Sequence, residues 1–313
     1  MKSSSVKFRI LFFVFVAIAC SCRATAQEKI ELKNAKELTG KIVDGQSVRE
    51  AKGDVEFVQG NVKVYCSNAT QFISSNMVEL SGNVRIYQDT LTLLTNKAVY
   101  YGDERRAVCS GNVTLKDPNA TLRSDNGVYT FSDAKAFFKG DVIIINPDYR
   151  ITSEELVYFR NTEESYAKGD VVVVTDSAIV RADEIDFYSR EGRTFARGNV
   201  RIDSDSTIIT SDTAVSYSNE RRSIAYGKVE INSPGNNSRL FGKWLENYGS
   251  KKITTLVGDA FLIQVEENGK DTTFIVCDTM IAFRDSLEKY VASGNVEMIR
   301  GRFLSKSGEA VYF

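Results

Sequence analysis

Apolar and polar residues alternate in short runs along most of the chain. In Gly198-Asn-Val-Arg-Ile202, Val200 and Ile202 fall on one side and Arg201 on the other. A period of two marks a strand with one buried face, and the runs are about ten residues long. Two kinds of segment separate them. One is rich in Asp, Asn, Pro and Ser, as in Lys116-Asp-Pro-Asn119, Asn146-Pro-Asp148 and Asn232-Ser-Pro-Gly235. The other is charged, as in Gly102-Asp-Glu-Arg105, Asn161-Thr-Glu-Glu164 and Asn219-Glu-Arg-Arg222. Both supply residues that satisfy turn geometry or accept a left-handed backbone. The pattern predicts β-structure throughout.

The runs belong to a repeat. Glycines at 53, 82, 111, 140, 169, 198 and 227 are spaced by 29 residues, and Gly258 and Gly294 follow at 31 and 36. Each opens a similar segment: GDVEF, GNVRI, GNVTL, GDVII, GDVVV, GNVRI, GKVEI, GDAFL and GNVEM. An aliphatic residue recurs eleven positions on (Leu93, Leu122, Ile151, Val180, Ile209). Aromatics recur after eighteen or nineteen (Tyr100, Tyr129, Tyr158, Phe187, Tyr217), and a further apolar residue precedes the next glycine (Val108, Phe137, Tyr166, Phe195, Ile224). Each repeat thus holds two strands. The glycine sits inside a run, where it marks a bend or bulge that lets a long strand pass from one sheet to a second. In the longest repeat the extra residues lie around Glu266-Glu-Asn-Gly269, a hairpin signal between longer strands.

Val142-Ile-Ile-Ile145 and Val171-Val-Val-Val174 are apolar on both faces. Either something covers their outer face or that face is prone to aggregation.

Composition narrows the function. Lys2, Lys7 and Arg9, the apolar run Ile10 to Ala19, and Ala24-Thr25-Ala26 before Gln27 read as a secretory signal peptide over residues 1–26. A rival reading makes Cys20 a lipidation site; both export the protein. Residues 27–52 then form a lead-in and 53–313 the repeats. The chain carries 40 Lys and Arg against 41 Asp and Glu. Removing residues 1–26 takes away Lys2, Lys7, Arg9 and Arg23 and no acid, leaving 36 against 41, a net charge of −5. That balance argues against nucleic acid as a partner.

There is no histidine, which removes the commonest triads and the commonest metal ligand. No cofactor is expected. Gly235 to Lys243 resembles a phosphate loop, but it has the wrong spacing and Trp244 stands where a Ser or Thr is needed. Asp183, Glu184, Asp186, Asp203 and Asp205 are candidates for acid–base chemistry, though acids at turn offsets are more simply solvated. Cys66, Cys109 and Cys277 are odd in number and lack metal-site spacing; small buried hydrophobes are their simplest role.

The phased G-[ND]-V-x-[IVL] segments, with Thr95-Asn-Lys-Ala-Val-Tyr100 and Ser211-Asp-Thr-Ala-Val215, resemble the organic-solvent-tolerance family over Gly53 to Phe313. That family includes the periplasmic lipopolysaccharide-transport bridge and the N-terminal domain of the outer-membrane lipopolysaccharide translocon. The resemblance implies an open, twisted β-jellyroll of two sheets, here built from tandem 29-residue repeats. Its interior would bind the acyl chains of lipopolysaccharide. It also implies head-to-tail stacking, on itself or on other jellyroll transport proteins. Mapped onto the repeats, the groove would be lined by Val84, Ile86, Leu93, Tyr100, Val113, Leu115, Tyr129, Val142, Ile144, Ile151, Tyr158, Val171, Val173, Val180, Phe187, Val200, Ile202 and Ile209. Arg85 and Arg201 would face water. No enzymatic activity is expected.

Three other readings stay open from the residues. The same apolar positions would also fill a closed core. A 29-residue coil would fit a parallel β-helix, as an adhesin or a sugar-active protein. A scaffold for partner proteins would need no lipid at all.

Overall fold

A computed structural model describes residues 28–313, except 119, 205, 266–270 and 285–287 and the side chains of 284 and 288. The expected signal peptide, Cys20 and the Glu266–Gly269 turn lie outside the described residues.

Twenty strands make up the described chain: β1 (Glu31–Asn34), β2 (Glu37–Val43), β3 (Gln46–Gln59), β4 (Val62–Phe72), β5 (Met77–Gln88), β6 (Leu91–Tyr101), β7 (Arg106–Lys116), β8 (Thr121–Thr130), β9 (Lys135–Ile145), β10 (Tyr149–Phe159), β11 (Glu164–Thr175), β12 (Ala178–Tyr188), β13 (Arg193–Ser204), β14 (Ile208–Tyr217), β15 (Arg222–Ser233), β16 (Ser238–Tyr248), β17 (Ile253–Val265), β18 (Thr272–Arg284), β19 (Glu288–Arg300) and β20 (Phe303–Tyr312). Three single 3-10 turns, at Ser189–Glu191, Ser218–Glu220 and Pro234–Asn236, are the helical backbone among the described residues. β17 and β18, on either side of residues 266–270, have 13 residues each, in keeping with the expected lengthening.

From β3 onward each strand pairs antiparallel with the next in sequence, and β1 and β2 share β3 as partner. Hydrogen bonding therefore runs through one open sheet, where the sequence suggested two. The glycine bulges explain the difference. At each, the register slips: Ser81 pairs with Lys97 and Val84 with Thr95, so β5 has one residue more than β6 across the step. Gly82 and Asn83 there have φ of 77° and 52°. The same pair of left-handed residues recurs at Gly53-Asp54, Gly111-Asn112, Gly140-Asp141, Gly169-Asp170, Gly198-Asn199, Gly227-Lys228, Gly258-Asp259 and Gly294-Asn295. A bulge bends its strand and increases the local twist, and pairing resumes on its far side. The strand bends without changing sheets.

Bulged strands alternate with straight ones, so the bulges line up in a ridge across the sheet. Two rows of turns border it. One row contains the turns after Gln59, Gln88, Lys116, Ile145, Thr175 and Ser204, the other those after Phe72, Tyr101, Thr130, Phe159, Tyr188 and Tyr217. Buried apolar residues occupy alternate positions on both sides of the ridge, in one cluster from Ile30 to Ala214 and a second from Ala225 to Val296.

Candidate functional site

The inner face is built from fixed offsets in the repeat. Two residues after the glycine, Val55, Val84, Val113, Val142, Val171, Val200, Val229, Ala260 and Val296 are all buried. Four after it, Phe57, Ile86, Leu115, Ile144 and Val173 are buried, Ile202 is partly exposed, and Ile231 and Leu262 are buried again. At eleven, Val64, Leu93, Leu122 and Ile151 are buried, while Val180 and Ile209 are partly exposed. Arg85 and Arg201, one residue off this parity, are exposed.

A further inner row runs straight across the strands. Tyr100 pairs with Ala107, then come Tyr129, Ala136, Tyr158, Ser165, Phe187, Thr194, Ser216, Ser223 and Asn247 in successive registers. Large rings alternate with small residues, as facing layers must to interdigitate. Tyr100 and Tyr129 are buried, Tyr158 and Phe187 partly exposed, and Ser216 exposed.

Hydrogen bonds join the two turn rows in the first repeats, although the rows lie at opposite ends of the strands. Gln59 Nε2 donates to the Gly102 carbonyl at 2.8 Å, and the Tyr100 hydroxyl donates to Gln59 Oε1 at 2.6 Å. Arg105 Nη2 donates to Asn61 Oδ1 at 2.7 Å, and Arg160 Nη2 to Thr90 Oγ1 at 2.8 Å. Gln88 Nε2 reaches the Phe131 carbonyl at 3.4 Å, and the Tyr158 hydroxyl donates to Asp117 Oδ2 at 3.3 Å. Burial pushes the Tyr100 phenol up to about 12, so it remains a donor at neutral pH. Phe131 packs edge-on against Tyr100 and Tyr129 beneath this seam.

Residues 28–30 cross the first end of the interior. Ile30 is buried; its N–H donates to Asn76 Oδ1 at 3.1 Å and its carbonyl accepts from Gln71 Nε2 at 3.1 Å. Gln59 also donates to the Glu28 carbonyl. Further along, a cleft of about 280 Å³ between the turn rows is lined by Leu115, Leu122, Ile144, Tyr149, Tyr158 and Ser189 among others. A smaller cavity of about 100 Å³ lies between Ile231, Leu240, Leu256, Met280, Phe283 and Tyr290, with Ser206 and Thr207 at its edge.

Three of the candidate acids, Glu184, Asp186 and Asp203, sit in ion pairs, and Asp183 accepts from Asn199 Nδ2 at 3.0 Å. Lys168 holds the Glu184 carboxyl below its usual range and Arg197 adds to it; Arg201, helped by Arg181, does the same for Asp203. Asp186 pairs with Arg197 at 2.9 Å, and Asp205 lies outside the described residues. The three cysteines are free and buried, and burial pushes the Cys109 thiol up to about 12, where it is unreactive.

A family model described as OstA-like protein matches residues 27–183. The chain belongs to the OstA-like family. No curated protein matches the sequence. Among solved structures, this OstA-like chain is similar to LptH, the LptA homologous periplasmic component of the conserved lipopolysaccharide transport device from Pseudomonas aeruginosa. Identity is 17%, the match covers 39% of this chain and 93% of that one, and the TM-score is 0.33.

All eighteen residues assigned to the groove from the OstA-like repeat lie on the inner parity. Thirteen are buried, and Tyr158, Val180, Phe187, Ile202 and Ile209 are partly exposed. The seam residues Gln59, Gln88, Asn61 and Arg105 were not among them; the signal was the 29-residue spacing of Gln59 and Gln88. Of the apolar residues before the glycines, Val108, Phe137, Tyr166 and Phe195 are half-buried or exposed on the outer parity, while Ile224 is buried. Tyr166 stacks edge-on with Phe159 and Tyr188, and Arg197 lies over Phe195. On the doubly apolar repeats, Ile145 and Val174 are 45% and 41% exposed, with no covering element among the described residues. Arg123, Thr152 and Arg181 alternate with Ile143 and Val172 across the strands and break up that surface.

Proposed function

We propose that this is an exported lipid-binding protein of the periplasm, carrying or bridging lipopolysaccharide between inner and outer membrane. In this reading residues 1–26 are the export signal and 27–52 lead into repeats that form a jellyroll, the two halves of the bent sheet facing each other. One observation carries it: an inner face with apolar residues at the same offsets in repeat after repeat, in a chain of the OstA-like family. Each CH₂ kept from water is worth about 0.8 kcal/mol, so a lipid with several acyl chains needs such a face to cross an aqueous compartment. Near-identical repeats offer neighbouring positions of similar energy, so a lipid moves along them without meeting a deep trap. The free edges of the sheet would meet the jellyrolls of partner transport proteins or of a second copy. The seam hydrogen bonds and the fully buried residues of the first repeats favour a closed core for that part of the chain.

The test is native mass spectrometry of the mature protein purified without detergent from a lipopolysaccharide-producing host. The expected result is a bound population heavier by the mass of lipopolysaccharide. A folded protein that carries no lipid, and takes none up from added lipopolysaccharide, overturns the reading.

A further inference from the structure

The inner face changes character at one place. The aromatic wedges of the cross-strand row, Tyr100, Tyr129, Tyr158 and Phe187, give way to Ser216 on β14, which is exposed. Its cross-strand neighbours are Thr194 and Ser223, so a ring-sized volume is missing across three strands. On the same strands, β12 to β14, the offsets that are buried in every earlier repeat become accessible: Val180, Ile202 and Ile209 are partly exposed, where Leu93 and Ile86 are at 0%. The gap also lies where the first apolar cluster ends, at Ala214, and the second begins, at Ala225.

The rim differs from the sealed part as well. Arg105 caps its turn with φ of 47° and reaches across the seam to Asn61. Arg221, in the turn beside Ser216, holds the same left-handed position with φ of 50°. Lys252 has φ of 54° at the corresponding place two strands on. Both are exposed, and neither side chain has a partner among the described residues. The position that latches the first repeats thus presents free cations beside the gap.

We propose that the gap at β12–β15 is a lateral window, through which an anionic amphiphile with several acyl chains inserts those chains while Arg221 and Lys252 hold its headgroup. This rests on the lipid-carrying reading and locates it. Acyl chains enter against Val180, Phe187, Ile202 and Ile209, and burial of their apolar surface drives the insertion. The headgroup stays at the rim in water, where a guanidinium gives charge-assisted hydrogen bonds to phosphate. In the repeats before β10 the residues at these offsets stay buried.

The test uses the full mature protein and micelles of diphosphorylated lipid A, with a leucine-sized diazirine residue placed singly at Ile209 or at Leu93. The expected result is lipid capture at Ile209 and none at Leu93. Ser216→Tyr, which restores the wedge at an exposed site, should abolish capture at Ile209 with folding intact by circular dichroism. Arg221→Asn with Lys252→Asn suits the left-handed backbone and should weaken capture of lipid A about tenfold. It should leave capture of dephosphorylated lipid A unchanged. Equal capture at Leu93, or capture that survives Ser216→Tyr, overturns the window and leaves the carrying reading standing. Absence of capture at either site in a protein that also copurifies without lipid overturns both.

Discussion

At the scale of single residues, the recurrent Gly-Asn and Gly-Asp pairs are explained by backbone sterics. Both residues of each pair have positive φ, which glycine adopts freely and Asn or Asp adopt more readily than other residues. At the glycines there is also no room: a Cβ on Gly198 would sit 2.2 Å from Asp183 Oδ2. Lys228 is the one bulge residue that is neither Asn nor Asp, with φ of 43°. Lys228→Asn should therefore stabilise the protein by about 0.5–1 kcal/mol, seen as a higher urea midpoint; an unchanged or lower midpoint counts against this account of the bulge. The glycines announced the bulge in the sequence, but the hydroxyls beside it did not. Ser124, Ser153 and Ser211 are buried, and each donates to the carbonyl two residues on, while the Thr95 hydroxyl lies within 3.2 Å of the Lys97, Ser110 and Gly111 carbonyls and has one proton to share among them. Their 29-residue spacing was visible, yet a hydroxyl that satisfies its own local backbone leaves no mark distinct from an ordinary turn-forming Ser.

At the scale of strands, alternation gave both the existence and the facing of most elements. Val84, Ile86 and Val200 lie inside, and Arg85 and Arg201 outside, because a period of two leaves only two choices. The number of sheets was not legible, since a bulge that bends a strand and one that ends its pairing share the same glycine. β20 pairs with β19 alone among the described residues, and Phe303, Leu304 and Val311 are 84%, 60% and 51% exposed. Such an edge takes up a further strand from a second copy or a related jellyroll. The sedimentation coefficient should rise with protein concentration, and Leu304→Lys with Val311→Lys should suppress the rise. A coefficient independent of concentration in the unmodified protein contradicts it.

At the scale of the whole molecule, the repeat made a continuous apolar face legible, but not how its parts differ. The seam joins residues 41 to 70 apart in sequence, such as Tyr158 with Asp117 and Arg160 with Thr90, and those distances depend on how the sheet bends. Phase alone treats Leu93 and Ile209 as equals; the structure seals one and opens the other. The central claim is that the inner face carries lipid, and β13 offers the sharpest contrast, because Ile202 and Arg201 are neighbours on opposite faces. The measurement is photo-crosslinking in growing cells, with a benzophenone residue placed at Ile202 or at Arg201. A lipopolysaccharide adduct at position 202 and none at 201 is the predicted result. A folded protein that gives no lipid adduct at 202, while 201 captures partner proteins, would contradict the account and make the molecule a scaffold.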